Sequence, residues 1–469
     1  MRVPSRFQGS TSHLDLGPRF FQLVTAADFP AHTLRFRNER WVHRVGLDTL
    51  DEAAWVRHFG QFEALPDTLP EPIALAYHGH QFRNYNPDLG DGRGFLLAQL
   101  HDPVDRRLLD LGTKGSGRTP WSRGGDGRLT LKGAVREILA TEMLEALGVN
   151  TSKTFSVIET GEALTRGDEP SPTRSAVLVR LSHGHLRIGS FQRHAYHKDD
   201  DAIEVLARHA VKHYVPSLNA EASMAELAIQ LVQHVAQTTA RTTADWICAG
   251  FVHGVLNTDN INITGESFDY GPWRFLPHMD PKFTAAYFDD FGLYAFGRQA
   301  EAVMWNVSRF AECFTAFVPV QDLSGAVAVF EDSFNAALNT ALARRLGITA
   351  EDGVRLKLGA RVFPAMAESG VPFEQVFFDC YGGCQGAGRD RAQRVYADGP
   401  LAQLVTDLGT CEPARNVAPD HAYFQGDTPC TMLIEEVEHI WDAISERDDW
   451  SLLEAKLTAI DVLRSAYEA

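Results

Sequence analysis

Apolar and polar positions keep two different rhythms along this chain. Up to about residue 182 the apolar residues come in short runs, and Phe95–Leu100, Arg107–Leu111, Thr154–Ile158 and Ala176–Leu181 predict strands. One segment inside that part breaks the rhythm. Leu131, Val135, Ile138, Leu139, Met143, Ala146 and Leu147 recur at helical spacing, with Gly148 as a stop, so a helix is expected over 131–147. After His194 helical spacing takes over, and Ala222–Ala249 is a long helical run ended by Gly250. The expected class is α+β, with a strand-rich part followed by a larger helical part and a boundary near 182–200.

Several polar clusters fall at the edges of these elements. Leu89-Gly90-Asp91-Gly92-Arg93-Gly94 and Gly124-Gly125-Asp126-Gly127-Arg128 are glycine-rich turns whose backbone N–H groups could nest an anion, although neither fits the P-loop or the dinucleotide pattern. Lys114 follows the second predicted strand. Glu137, Glu142 and Glu145 lie on the predicted helix, and helical phase sets Glu142 nearer its apolar face than Glu137. A strand lysine held by a helix glutamate is one way to seat nucleotide phosphates, whereas three solvated glutamates would be the ordinary alternative. Arg180 closes an apolar strand and Arg187 follows it; each needs an anionic partner, a carboxylate or a phosphate. His78, His80, His183 and His185 lack a further ligand at metal spacing and read as structural.

The densest polar stretch is 251–271. His253-Gly254 opens a loop that holds Asp259 and Asn260 side by side; Ile261 and Ile263 then alternate with polar residues as a short strand would, and Asp269-Tyr270-Gly271 follows. An acidic base, an Asn and a second Asp before an aromatic and a Gly form the layout of a protein-kinase-like catalytic centre. That pattern places the base soon after the His, where this chain has Val255, so the nearest acid is Asp259. The joint order predicts a bilobal protein-kinase-like fold, a small strand-rich N-lobe with its extension over 1–190 and a larger helical C-lobe over 191–469.

Composition narrows the classes of function. The net charge of −17 argues against a nucleic-acid or anionic-membrane surface. The first 25 residues predict no signal peptide, and no apolar run is long enough to span a bilayer. Six cysteines in 469 residues, with no paired zinc spacing, read as reduced thiols in a cytoplasmic protein.

The chain resembles the selenoprotein O family, kinase-fold protein adenylyltransferases. The resemblance rests on Tyr77-His78-Gly79-His80-Gln81-Phe82, Leu89–Arg93, Lys114-Gly115-Ser116-Gly117-Arg118-Thr119-Pro120, Gly125–Arg128, Arg136-Glu137, His253–Asn260, Asp269-Tyr270-Gly271-Pro272 and Trp305-Asn306, and runs over roughly 75–310. It implies transfer of AMP from ATP, bound in a flipped orientation, to Ser, Thr or Tyr hydroxyls of proteins, with release of pyrophosphate. By the same resemblance Gly90, Gly92, Arg93, Lys114, Asp126, Gly127, Arg180, Arg187 and Asp269 would contact the nucleotide. Glu137, rather than Glu142, would pair with Lys114. Asp259 would be the general base, and Asn260 and Asp269 would hold Mg²⁺ or Mn²⁺. The family lacks the usual kinase Asp at the Val255 position. The rival readings are a kinase-like phosphotransferase with the same residues, an inactive nucleotide-binding scaffold and, ranked last, a single-stranded RNA binder. Two departures stand out: Arg83 where the family usually has Gly, and a final segment, about 449–469, that predicts an amphipathic helix rather than the Cys- or selenocysteine-bearing tail of some members.

Overall fold

A computed structural model describes residues 7–468, apart from 168, 386, 387 and 416. The outermost residues of the two expected lobes, 1–6 and Ala469, lie outside the described residues. A nine-stranded antiparallel sheet organises the first part. Its main path runs Phe21–Leu23, Ile73–Leu75, Leu96–His101, Leu108–Lys114, Thr173–Ser182, Lys153–Leu164 and Thr33–Arg37. The helix Leu131–Ala146, hereafter the glutamate helix, starts on a side-chain cap, with Gly133 N–H donating to Thr130 Oγ1 at 3.2 Å.

Period two sorts the strand side chains between two cores. Val177, Val179 and Leu181 join Trp41, Trp55 and Phe59 of the helices Glu39–Val45 and Glu52–Phe59 on one face. Ala176 and Leu178 join Ile138 and Leu139 of the glutamate helix on the other. Arg180 shares the parity of Leu178. Lys114 shares that of Leu108, which lies in the same core. Both cations are thereby turned toward the glutamate helix, on adjacent strands where Leu178 pairs with Lys114 and Arg180 with Gly112.

Three expectations need correction. The lysine strand does not stop at Leu111 but runs through to Lys114. Ile261 and Ile263 are buried without forming a strand. Ile188 N–H donates to the Ile261 carbonyl and Ile263 N–H to that of Leu186, so a single bridge, Arg187 to Asn262, replaces a ladder. The solvated-glutamate alternative also fails, because Glu137 and Glu142 are buried and all three glutamates are ion-paired.

From Ile188 onward the chain is mainly helical, with Met224–Cys248 and Val320–Arg345 its longest helices. The last two helices, Ile434–Arg447 and Ser451–Glu468, return to the first part. Leu463 and Ile460 enter the core around the glutamate helix, and Arg464 Nη2 meets Glu142 Oε2 at 2.5 Å. Arg40 and Asn38 hold the same carboxylate from the other side. Among the described residues, no helix is long and apolar enough to cross a membrane. All six cysteines are free thiols.

Candidate active site

A cavity of about 700 Å³ opens where the glycine turns, the lysine strand and the 251–271 stretch meet. Gly90, Gly92, Arg93, Lys114, Asp126, Gly127, Arg180, Arg187, Asp259, Asn260 and Asp269 all line it. Glu137 lies one contact behind, 1% exposed.

The centre of the cluster is a square of charges. Lys114 Nζ stands 2.7 Å from Glu137 Oε2 and 2.9 Å from Asp269 Oδ1. Arg180 joins the same two carboxylates, with Nε 3.1 Å from Glu137 Oε1 and Nη2 3.2 Å from Asp269 Oδ1. Burial works against the Glu137 carboxylate, but Arg180 and then Lys114 outweigh it and hold the group below the usual glutamate range. The same contest is decided more strongly at Asp269. Burial opposes its charge, yet Lys114 and Arg180, with Arg187 and Arg93 behind them, keep it well below the ordinary carboxylate range.

Arg187 forms the second tier. Its guanidinium stacks 4.3 Å from the Tyr77 ring centre and 5.0 Å from that of Phe268. One Nη donates to the Asp259 carbonyl at 3.0 Å and the other to Asp91 Oδ1 at 3.2 Å. Asp91 also accepts the Leu75 N–H, so it ties the first glycine turn to the sheet.

Asp259 is different. Its Oδ1 is buried with no hydrogen-bond partner among the described residues. Burial pushes its carboxyl up to about 6, Arg187 pulls against that rise, and the charge of Asp269 adds to it. Next to it, Asn260 donates Nδ2 to the Val255 carbonyl at 2.9 Å, which leaves its amide oxygen as the acceptor end.

The glycine turns are explained first by packing. A Cβ at Gly90 would stand 2.3 Å from the Trp121 indole, and Gly127 has φ +71° with its Cβ direction 2.2 Å from the Gly117 carbonyl. Asp126 reaches the cavity rim, but both of its carboxylate oxygens are taken by Arg166, at 2.8 and 3.1 Å. Arg166 had no signal in the sequence, because it comes from a separate loop. Gln192, on the helix Ile188–Tyr196, was missed as well; it accepts from Thr258 Oγ1 at 2.7 Å, while Thr258 accepts the His80 N–H at 2.6 Å.

His80 belongs to a hairpin, Gly79–Gln81 with Asn84–Asn86, laid against the Asp259 loop. Its two turn residues, Phe82 and Arg83, have φ +49° and +65°, the conformation for which Asn-Gly is preferred. That geometry suits a glycine better than the arginine this chain has. Here Arg83 is held instead by Glu301 at 2.9 Å and by the Trp305 ring.

The model of the family described as protein adenylyltransferase SelO matches residues 6–461. The chain belongs to that family. Among relatives, "Protein nucleotidyltransferase YdiU" of Synechocystis sp. is 41% identical over 454 residues, covering 93% of this chain and 94% of its own. The protein of the same description from Trichormus variabilis is 40% identical over 461 residues, covering 93% and 92%. A third, from Rhodopseudomonas palustris, is 38% identical over 383 residues, covering 79% and 75%. Membership in the SelO family makes this chain a nucleotidyltransferase of the protein adenylyltransferase type, for which ATP is the fitting substrate. The match extends well beyond the roughly 75–310 over which the motifs run.

Proposed function

We propose that this SelO-family chain transfers AMP from ATP to Ser, Thr or Tyr hydroxyls of proteins and releases pyrophosphate, in the cytoplasm, on a bilobal kinase-like fold divided near residue 190. The observation that carries the reading is the pairing, in one cavity, of a charge square built on Lys114 and Asp269 with an unpartnered carboxylate, Asp259. The square holds cations where a triphosphate would need them. The lone carboxylate is the group able to accept a proton.

In this mechanism Lys114, Arg93, Arg180 and Arg187 bind the triphosphate, and the backbone around Gly90, Gly92 and Gly127, with Asp126, frames the nucleotide. Glu137 fixes Lys114 and Arg180 so that neither must reorganise during transfer. The Asp259 carboxylate takes the proton of the acceptor hydroxyl as the hydroxyl oxygen bonds to the α-phosphorus and the bond to pyrophosphate breaks. The flipped orientation makes the α-phosphorus the one attacked.

The residues also fit a divalent cation. Asn260 and Asp269 offer an amide oxygen and a carboxylate, hard donors of the kind Mg²⁺ or Mn²⁺ takes. Among the described residues no three His, Cys, Asp or Glu side chains gather as a metal site. A cation held by Asn260 and Asp269 would therefore complete its shell from phosphates and water, as Mg²⁺ commonly does. When bound, it would neutralise phosphate charge.

Position of label tests the reading. Incubation with ATP labelled at the α-phosphorus should leave label on protein, with pyrophosphate in solution. Protein-bound label from the γ position would instead make the chain a kinase. Binding of ATP with neither label transferred and no pyrophosphate would make it a scaffold.

A further inference from the structure

The segment 286–292 stands beside the Asp259 loop and turns its aromatic side chains outward. Tyr287 is 86% exposed, Phe288 45% and Phe291 93%. Large apolar side chains clustered on a surface mark contact sites, because covering them removes apolar area from water. The loop is built rather than loose. Asp289 is buried, and its two carboxylate oxygens accept the Leu293 and Tyr294 N–H groups, each at 2.8 Å. Backbone bonds from Asp289 to Ala286 and from Gly292 to Asp289, both 3.1 Å, close the successive turns.

Two contacts join this loop to the cleft. Phe82, at the hairpin tip, packs with ring centres 5.9 Å from Phe288 and 5.0 Å from Tyr294. The Phe82 N–H and the Tyr294 hydroxyl both donate to Asn257 Oδ1, at 3.0 and 2.8 Å. Asn257 lines the cavity together with Asp259. The aromatic patch is thus continuous with the border of the site.

Resting on the adenylyl-transfer reading above, we propose that Tyr287, Phe288 and Phe291 dock the protein substrate. The occupant is an extended segment with an aromatic or branched aliphatic side chain a few residues from its acceptor hydroxyl. A protein hydroxyl that reaches Asp259 beside bound ATP brings its flanking residues onto the cavity's border, and this patch continues that border. Beside the patch, Arg83 and Arg298 both pair with Glu301, at 2.9 and 3.1 Å, so these two cations are already occupied. Aromatic side chains with two rotatable bonds give contact area at low entropic cost. Selection at this surface is therefore by apolar shape.

A library of short peptides, each with one central Ser, Thr or Tyr and varied flanks, tests this with α-labelled ATP and full-length protein. The parent should favour peptides with an apolar side chain at a fixed offset. The Tyr287→Ser/Phe291→Ser variant should lose that preference and fall about tenfold in kcat/KM on the best peptide through KM, with the KM for ATP unchanged. Absence of apolar preference in the parent, or its survival in the variant, overturns the docking surface and leaves adenylyl transfer standing. A parent dimer in sedimentation velocity that the variant breaks overturns it too, because the occupant is then a second copy. Should no peptide or protein, the enzyme included, take label from the parent, adenylyl transfer and the docking surface fall together.

Discussion

Asp259 keeps its negative charge against its surroundings. Its folded value of about 6 lies above the 3.8 of an ordinary aspartate, so between those values the folded chain holds a proton that the unfolded chain has released. The contribution of Asp259 to stability is therefore greatest on the acid side, declines as pH rises through that window and is lowest above about 6. Full ionisation costs the fold at most about 3 kcal/mol. Asp259→Asn should raise the melting temperature at pH 8, with the gain vanishing near pH 4, as thermal unfolding at the two values would record. The same variant should lower AMP transfer by ~10²–10⁴-fold. In the parent, transfer should rise with pH through about 6, and the variant should lack that limb. Arg83 gives a second test at this scale. Arg83→Ala loses the Glu301 pair and keeps the strained turn, whereas Arg83→Gly loses the pair and relieves the strain. The glycine variant should be the more stable of the two by about 1 kcal/mol in urea denaturation.

The glutamate helix is gripped at two points with different consequences. Glu137 faces Lys114 and Arg180; Glu142 faces Arg464, Arg40 and Asn38. Removing either charge takes one carboxylate from buried cations that keep a second, Asp269 for Lys114 and Arg180 and Asp461 for Arg464, so each Glu→Gln change should cost about 1.5–3 kcal/mol in denaturant midpoint measurements. Only Glu137→Gln should also raise the KM for ATP, because only Glu137 touches cavity cations. This helix and the lysine strand were legible in the sequence, since one long 3.6-residue rhythm among two-residue rhythms has few interpretations. The choice between the glutamates was not legible. Both point inward, and their partners come from strands and from a helix more than 300 residues away, which no local period reveals. The strand expected at 261–263 failed for a related reason. Apolar alternation reports that Ile261 and Ile263 are buried, but their backbone partners belong to 186–188, where a single bridge forms. Arg166 and Gln192 reach the site only through tertiary folding. The Asp259-Asn260 and Asp269-Tyr270-Gly271 groups were readable because the chain keeps them close in sequence.

At the scale of the whole molecule, the chain closes on itself. Its last two helices share a core with the glutamate helix, and the Arg464–Glu142 pair is buried at that junction. Arg464→Ala should destabilise the protein by about 3–5 kcal/mol, whereas Glu142→Gln/Arg464→Met should cost much less than the sum of the two single changes. A double-mutant cycle in chemical denaturation checks both values. The arrangement also sets an order in time. Ribosomes deliver the cavity's strands, turns and loops well before the arginine that anchors Glu142. A nascent polypeptide that has not yet released residue 464 therefore holds the glutamate helix with Glu142 supported by Arg40 and Asn38 alone.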